Sequence, residues 1–472
     1  MEIKTALTYD DVLLVPQKSS IRSRQDVDVS TRLSRNIDLK TPIIPAHMDS
    51  IAESKMAIAL ARLGSIGLIH RFCDIEYQVK EVQKVKRRQS VIIENPITIL
   101  PNATLKEVED KIAEYNFRSF LVSPDGQELV GILTSRDMMF ARDKQTLVKD
   151  MMTPKEKLIT APPGIDIDKA KTILINNKIE KLPIVDQAFK IKGLITATDI
   201  IRNYNSVSAS RDTKGRLLTG AAIGVGPGAM ERAQALVEAN ADVLVLDIAH
   251  GHSEHALEMI KRIKNKYPSI DLIAGNIATA QAAQDLIKAG ADAVKVGIGP
   301  GSTCITRTTT GFGVPQLTAV FNIAPVCRKY KIPMIADGGI KHPSDLVKAL
   351  AAGADSVMMG GQLAGTEETP GPLLSYRGQQ YKISRGMASL TAALSRPNAK
   401  EKIEQVTPEG VEARVPYRGP VKNVINQYIG GLRSGMSYGN AHNLQELRKN
   451  AKFIRITHSG IVESSSHDNQ VL

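Results

Sequence analysis

From Leu218 onward, short apolar runs alternate with longer stretches whose apolar residues recur every three or four positions. ADVLVLDIA is followed by SEHALEMIKRIKNKY, IDLIAGN by AQAAQDLIKAG, ADAVKVGIG by PQLTAVFNIAPVCRKY, and IPMIADGGI by SDLVKALAAG, with ADSVMMGG after it. The short runs are apolar almost throughout, which predicts strands covered on both faces. The periodic stretches predict the helices that cover them. The N-terminal part repeats the cadence with TPIIPAHMD, a helix over 55–63 and SIGLIHR. Together these make about eight strand–helix units, the number that closes a parallel sheet into a TIM (β/α)8 barrel of the α/β class.

Between the two barrel parts the pattern changes. VGILTSRDMMF (130–140) and KGLITATDIIR (192–202) repeat one another: Gly131 aligns with Gly193, Thr134 with Thr196 and Asp137 with Asp199, an offset of 62. Each copy reads as a short strand, a polar turn and the start of a helix. Each follows a helical segment, TLKEVEDKIAEY or DIDKAKTILINN, that opens on a capping residue. Two copies are too few for a solenoid and predict one pseudo-symmetric pair inserted in a βα loop. The expected domains are 1–90 (first barrel part), 91–205 (the inserted pair) and 206–472 (second barrel part), with the polar stretch 203–217 as a return linker.

Composition narrows the class. A chain of 472 residues exceeds one ordinary domain but suits a barrel with an insertion, and 42% hydrophobic with 23% charged residues is globular. No apolar run reaches membrane-spanning length, and MEIKTALTYDDVLLV lacks the layout of a secretory signal, so a cytoplasmic protein with no membrane partner is expected. The net charge is +12, but the charges are scattered and 4% of residues are aromatic. Nucleic acid is therefore not expected as the primary ligand, whereas a small phosphorylated one suits a basic chain. The run KVKRR (84–88) continues a helical pattern and is expected to be a solvated face. Three cysteines, Cys73, Cys304 and Cys327, give neither a disulfide framework nor a CxxC metal pattern. Cys73 and Cys327 adjoin apolar periodic segments and read as small core residues.

In such a barrel the chemistry gathers at the C-terminal ends of the strands. Those ends carry Asp247, Asn276, the loop GPGSTCITRTTTGFG, Asp337 before two glycines, and GGQLAGTEE. Gly299, Gly301 and Ser302 place N–H groups and a hydroxyl close together, which suits a phosphate or, through the carbonyls, a cation. Cys304 lies in the same loop, followed by Thr306 and Arg307. A partly exposed thiol beside a cation is the setting of a nucleophile; the plainer alternative is a glycine-rich turn around a buried cysteine. Gly338–Gly339 and Gly360–Gly361 either let the backbone approach an anion or simply form tight turns. Asp247 and Asp337 suit ribose hydroxyls or a cofactor, although a strand-end Asp also caps the helix that follows.

The segments PAHMDSIAE, GPGSTCITR, ADGGI, GGQLAGTEETPG, RGMASL, TPEG and GGLRSGMSY, spread over nearly the whole chain, resemble the IMP dehydrogenase/GMP reductase family. The inserted pair resembles the tandem CBS (Bateman) module of that family. The resemblance implies that Cys304 attacks C2 of a purine nucleotide, GMP or IMP. It implies Ser302, Gly339 and Gly361 at the phosphate, Asp337 on the ribose, and Met48, Met387 and Glu409 at the base. Gly360, Gly386 and Ser389 complete the implied substrate set, and Asp247, Ala249 and Asn276 the cofactor set. Carbonyls of Gly299, Gly301 and Cys304 would hold a potassium ion, completed by Glu463, Ser464 and Ser465 of a neighbouring subunit. That implies a homotetramer, which can pair into an octamer. Asp137 and Asp199 resemble ribose-contacting positions for a regulatory ATP or GTP, with helix N-capping as the alternative. One departure is Ser384, where dehydrogenases have a phosphate-binding Tyr before Arg-Gly-Met.

Both branches of the family form a thioimidate at C2, and the dehydrogenase branch must then hydrolyse it, using an Arg-Tyr pair on a flap to activate water. The matching stretch here, LTAALSRPNAKEKIEQV (390–406), has no Tyr, and Arg396 is followed by Pro397. Arg414 and Tyr417 belong to a different segment, RVPYRG. General-base assistance typically gives about 10²–10⁴-fold, so hydrolysis without it should be slow. DIAHGHSEH (247–255), TRTTTG, GMAS and Ser437 before Tyr438 also resemble the reductases, whereas the inserted pair and the C-terminal tail resemble the dehydrogenases. The implied activity is reduction of GMP by NADPH to IMP and ammonia. Cys304, Thr306 and Glu368 form the implied catalytic set, the last two protonating the departing amine. The alternatives are an IMP dehydrogenase using NAD with an atypical flap, and a nucleotide-sensing scaffold without turnover.

Overall fold

Eight short strands lie side by side in one sheet: β1 (Ile43–Pro45), β2 (Gly67–Ile69), β3 (Thr219–Ile223), β4 (Val243–Asp247), β5 (Asp271–Ile277), β6 (Ala293–Val296), β7 (Met334–Asp337) and β8 (Ser356–Met359). The computed structural model describes residues 3–88, 92–93, 96–115, 118–139, 141, 143–204, 208–394 and 407–464. Every pairing in the sheet is parallel, in the order β1-β8-β7-β6-β5-β4-β3-β2. The two end strands, β1 and β2, also touch, so the sheet curls nearly shut into the expected TIM barrel.

The apolar runs become strands because both faces are covered. Val243, Leu244, Val245 and Leu246 of β4 are all buried, and Asp247 is the first partly exposed residue. Burying a side chain of that size contributes about 1.5–3 kcal/mol, which leaves polar groups to the strand ends. Helices follow with the expected periodicity: the one over Glu254–Lys266 buries Ala256, Met259, Ile260 and Ile263, and Ser253 caps it by accepting from the Ala256 amide. The run 84–88 is not wholly solvated. It ends the helix Ile75–Arg88, and Lys86 is buried against Asp242 with Nζ 2.5 Å from Oδ2.

The chain divides into two compact units, one of residues 1–88, 208–210 and 217–472, the other of 89–207 and 211–216. The first is the barrel. The second holds the repeated segments, as a four-stranded and a three-stranded sheet. Its helices Leu105–Tyr115 and Ile167–Asn177 occupy matching places in the two repeats. Leu121, Leu129, Ile132, Val185 and Leu194 form a core shared by both. The return segment is more than a linker: Asp212 and Arg216 pair at 2.8 Å and are nearly buried.

Candidate active site

The loop after β6 is shaped by glycines that make room for one arginine. A Cβ at Gly299 or Gly313, both at positive φ, would lie 2.6 Å from Arg307 Cγ. Arg307 runs between the two limbs and ties them, its Nε donating to the Ile298 carbonyl at 3.1 Å and Nη2 to that of Val314 at 2.6 Å. On the other side a late segment clamps the loop. The Ile305 amide donates to the Glu409 carbonyl at 2.8 Å, the Val411 amide to that of Thr303 at 2.9 Å, and Cys304 pairs with Gly410.

The clamp brings a carboxylate to the thiol. Cys304 Sγ lies 3.2 Å from Thr306 Oγ1, which donates to Glu409 Oε2 at 2.8 Å. Glu368, expected in that position, is tied elsewhere: its Oε2 accepts the Val421 amide at 2.8 Å, where the helix Val421–Tyr438 begins. An acid there satisfies an orphan N–H and suits the helix dipole. Glu409, expected at the base, takes the place beside Thr306.

Glycines let neighbouring segments approach this loop closely. A Cβ at Gly361 would meet Ser302 Oγ at 2.6 Å, one at Gly338 would meet the Gly301 nitrogen at 3.2 Å, and one at Gly386 would meet the Thr303 carbonyl at 2.8 Å. Gly338 and Gly339 both have positive φ, and Met48 Sδ lies 3.7 Å from the Cβ position of Gly360. The structure thus groups Met48, Ser302, Gly360, Gly361 and Gly386 with the Cys304 loop. Met387 is half-buried in the next position along. Ser389 is buried, and its Oγ accepts the Ala392 amide at 3.3 Å, a helix-capping contact.

A polar network joins the neighbouring strand ends. Lys295 is buried, with Nζ 2.8 Å from Asp337 Oδ2 and 3.6 Å from Asp247 Oδ1, and it also donates to Asn276 Oδ1. Asn276 Nδ2 donates to Asp337 Oδ2 at 2.8 Å. His47 Nε2 lies 2.8 Å from Asp247 Oδ1, and Arg71 Nε lies 3.7 Å from Oδ2. Burial opposes charge on Lys295, but Asp337 and Asp247 outweigh it and raise its pKa. Burial likewise opposes charge on Asp247, yet His47, Lys295 and Arg71 hold that carboxyl well below the usual carboxylate range. Sequence reasoning singled out neither Lys295 nor His47. A lone cation inside the apolar run ADAVKVGIG was the available signal for the first.

The remaining candidates are scattered. Ala249 is exposed in the loop after β4. Glu463 is exposed at the end of the helix His458–Glu463, Ser464 Oγ donates to the Gly460 carbonyl at 2.7 Å, and Ser465 lies outside the described residues. In the second unit, Asp137 Oδ2 accepts the amide and hydroxyl of Thr134, both at 2.7 Å, closing a capping box. The Asp199 side chain and Arg396–Pro397 lie outside what is described. Burial pushes the Cys73 thiol up to about 11 and that of Cys327 to about 12. A separate cleft of about 690 Å³ contains the Asp49–Arg385 ion pair and is not lined by Cys304.

The IMP dehydrogenase / GMP reductase domain is matched over residues 6–467. The chain belongs to this family. IMP dehydrogenases and GMP reductases are oxidoreductases that act on purine nucleotides with nicotinamide cofactors. An Aquifex aeolicus inosine-5'-monophosphate dehydrogenase is 52% identical over 100% of this chain and 97% of its own. A Leishmania major GMP reductase is 46% identical over 98% of this chain and 96% of its own. Among solved structures, a cysteine-to-alanine GMP reductase from Trypanosoma brucei in complex with guanosine 5'-monophosphate matches with TM-score 0.89 and 45% identity over 99% of each chain. Both branches of the family are thus represented among relatives that share the full length. Among the described residues no helix is long and apolar enough to cross a membrane.

Proposed function

We propose that this protein is a GMP reductase that converts GMP and NADPH to IMP, ammonia and NADP. The observation that carries the reading is the stretch 390–406, which contains no Tyr and therefore no Arg-Tyr pair to activate water. The thiol has instead a hydroxyl and a carboxylate in line, which suits a leaving amine better than an incoming water.

Cys304 Sγ forms a bond to C2 of guanine. Thr306 donates to Glu409, so its lone pairs are available to the thiol proton, which passes through Thr306 to the carboxylate. The same route returns the proton to the 2-amino group as it leaves, giving ammonia and a C2 thioimidate. The nicotinamide, when bound, supplies the hydride that C2 accepts. The C2–S bond then breaks, releasing IMP and the Cys304 thiolate, which takes up a proton from solvent to restore the thiol.

Ser302, Gly339 and Gly361 hold the phosphate through bare N–H groups and a hydroxyl. Asp337 holds the ribose, oriented by Lys295 and Asn276. Met48, Gly360, Gly386, Met387 and Ser389 shape the base site. Asp247, Asn276 and Ala249 face the cofactor; a partly exposed anion beside a His47 nitrogen that has no partner among the described residues suits a polar ligand there. Carbonyls of Gly299, Gly301 and Cys304 are hard oxygen donors suited to a potassium ion, which would brace the loop. Glu463, Ser464 and Ser465 of a neighbouring subunit complete that site in a tetramer. The second unit, residues 91–205 on the sequence boundaries, is a CBS pair that binds ATP or GTP.

Relatives named inosine-5'-monophosphate dehydrogenase at 52% and 50% identity favour a second reading, IMP oxidation by NAD. Mass spectrometry of the products separates the two. IMP and ammonia formed from GMP support the reductase; XMP formed from IMP overturns it.

A further inference from the structure

His47 pairs with Asp247 at the strand ends, and its surroundings define a role of its own. It follows β1 by two positions and precedes Met48. Its side chain is 6% exposed. Asp247 is ionised, so the Nε2 that faces it at 2.8 Å carries a hydrogen. In the neutral ring that makes Nδ1 an acceptor, and this buried atom has no hydrogen-bond partner among the described residues. Buried polar atoms are almost always paired, and an unpaired one calls for a partner from outside the chain.

We propose that His47 is a ligand-positioning residue: it orients Asp247 through Nε2 and accepts at Nδ1 an N–H donor of the bound ligand. The identity of that ligand rests on the reading above, which supplies two such donors, the 2-amino group of guanine and the carboxamide of nicotinamide. Both are flat, ring-borne N–H groups, and either would end next to Met48 and Asp247.

The two ring nitrogens can be tested apart. Gln at this position keeps a donor that reaches Asp247 but carries nothing at the δ position; Asn keeps an acceptor at δ but falls short of Asp247. Cys304→Ala protein provides the background, so that binding is measured without turnover. Calorimetry compares GMP with IMP, which lacks the 2-amino group, and NADPH with its 3-acetylpyridine analogue, whose methyl ketone lacks the N–H. In one of the two pairs the donor-bearing ligand should bind about tenfold more tightly, the size of one buried hydrogen bond. His47→Gln should abolish that preference and His47→Asn should retain it. A preference lost for guanine assigns the donor to the substrate, and one lost for NADPH assigns it to the cofactor. Both preferences surviving in His47→Gln would overturn the proposal. Melting temperatures check folding. If the Gln variant does not fold, loss of the preference in His47→Ala with retention in His47→Asn supports the proposal, and retention in both overturns it. Binding is read without catalysis, so this result stands apart from which direction the enzyme runs.

Discussion

Thr306 Oγ1 lies 3.2 Å from Cys304 Sγ and donates to Glu409 Oε2 at 2.8 Å, joining the thiol to a carboxylate more than a hundred residues away in the chain. If that relay moves the proton, Thr306→Val and Glu409→Gln should each lower kcat by about 10²–10⁴-fold. The loss should fall on kcat far more than on the KM for GMP. Glu368→Gln should leave kcat close to the parent value and lower stability by about 0.3–1 kcal/mol, the worth of an acid at a helix N-terminus. Steady-state kinetics and thermal melts on the three variants decide whether the proton route runs through Glu409.

Lys295 is the buried cation between Asp337 and Asp247. Removing one partner of a buried ion pair leaves the others uncompensated and typically costs about 3–5 kcal/mol. Lys295→Met should therefore unfold at a clearly lower temperature or denaturant concentration, and the folded fraction should bind GMP more weakly because Asp337 keeps only its Asn276 contact. A variant as stable as the parent would mean that the charges are compensated by water.

Asp247 has a folded pKa below its unfolded value, which is about 3.9. The carboxylate therefore stabilises the fold fully above the unfolded pKa, and that stability is lost as pH falls through it toward the lower folded value. Asp247→Asn never has this contribution. The gap in melting temperature between parent and variant should thus be widest near neutrality and shrink between pH 5 and the acid limit. A gap that widens on acidification would show that the carboxylate is not held as an anion.

The three thiols are free, and they should react very differently. With Cys73 pushed up to about 11, on the order of one such thiol in three thousand is thiolate at pH 7.5, and Cys327 at about 12 has fewer still. Limiting iodoacetamide should modify Cys304 alone, with loss of activity, and GMP should slow the reaction. Peptide mass mapping that finds Cys73 labelled first would contradict this.

The barrel was legible because each strand is covered on both faces, and the Cys304 loop because its glycines make room for Arg307. What escaped depends on contacts that spacing does not encode. Glu409 reaches Thr306 because the segment 409–411 crosses the Cys304 loop, so the choice between Glu368 and Glu409 turned on a backbone crossing with no local pattern. Likewise, His47 owes its setting to Asp247, two hundred positions further on. Asp137 sits at the expected helix start, but the orientation of its carboxylate toward Thr134 is set by three-dimensional geometry.

The central claim is the direction of the chemistry, and absorbance at 340 nm tests it most directly. Purified protein in potassium buffer, given GMP and NADPH, should consume the cofactor and lower the absorbance, with one ammonia and one IMP formed per NADPH. A rise in absorbance with IMP and NAD, and none of that loss with GMP, would contradict the account and mean that another group activates water in place of the absent Arg-Tyr pair.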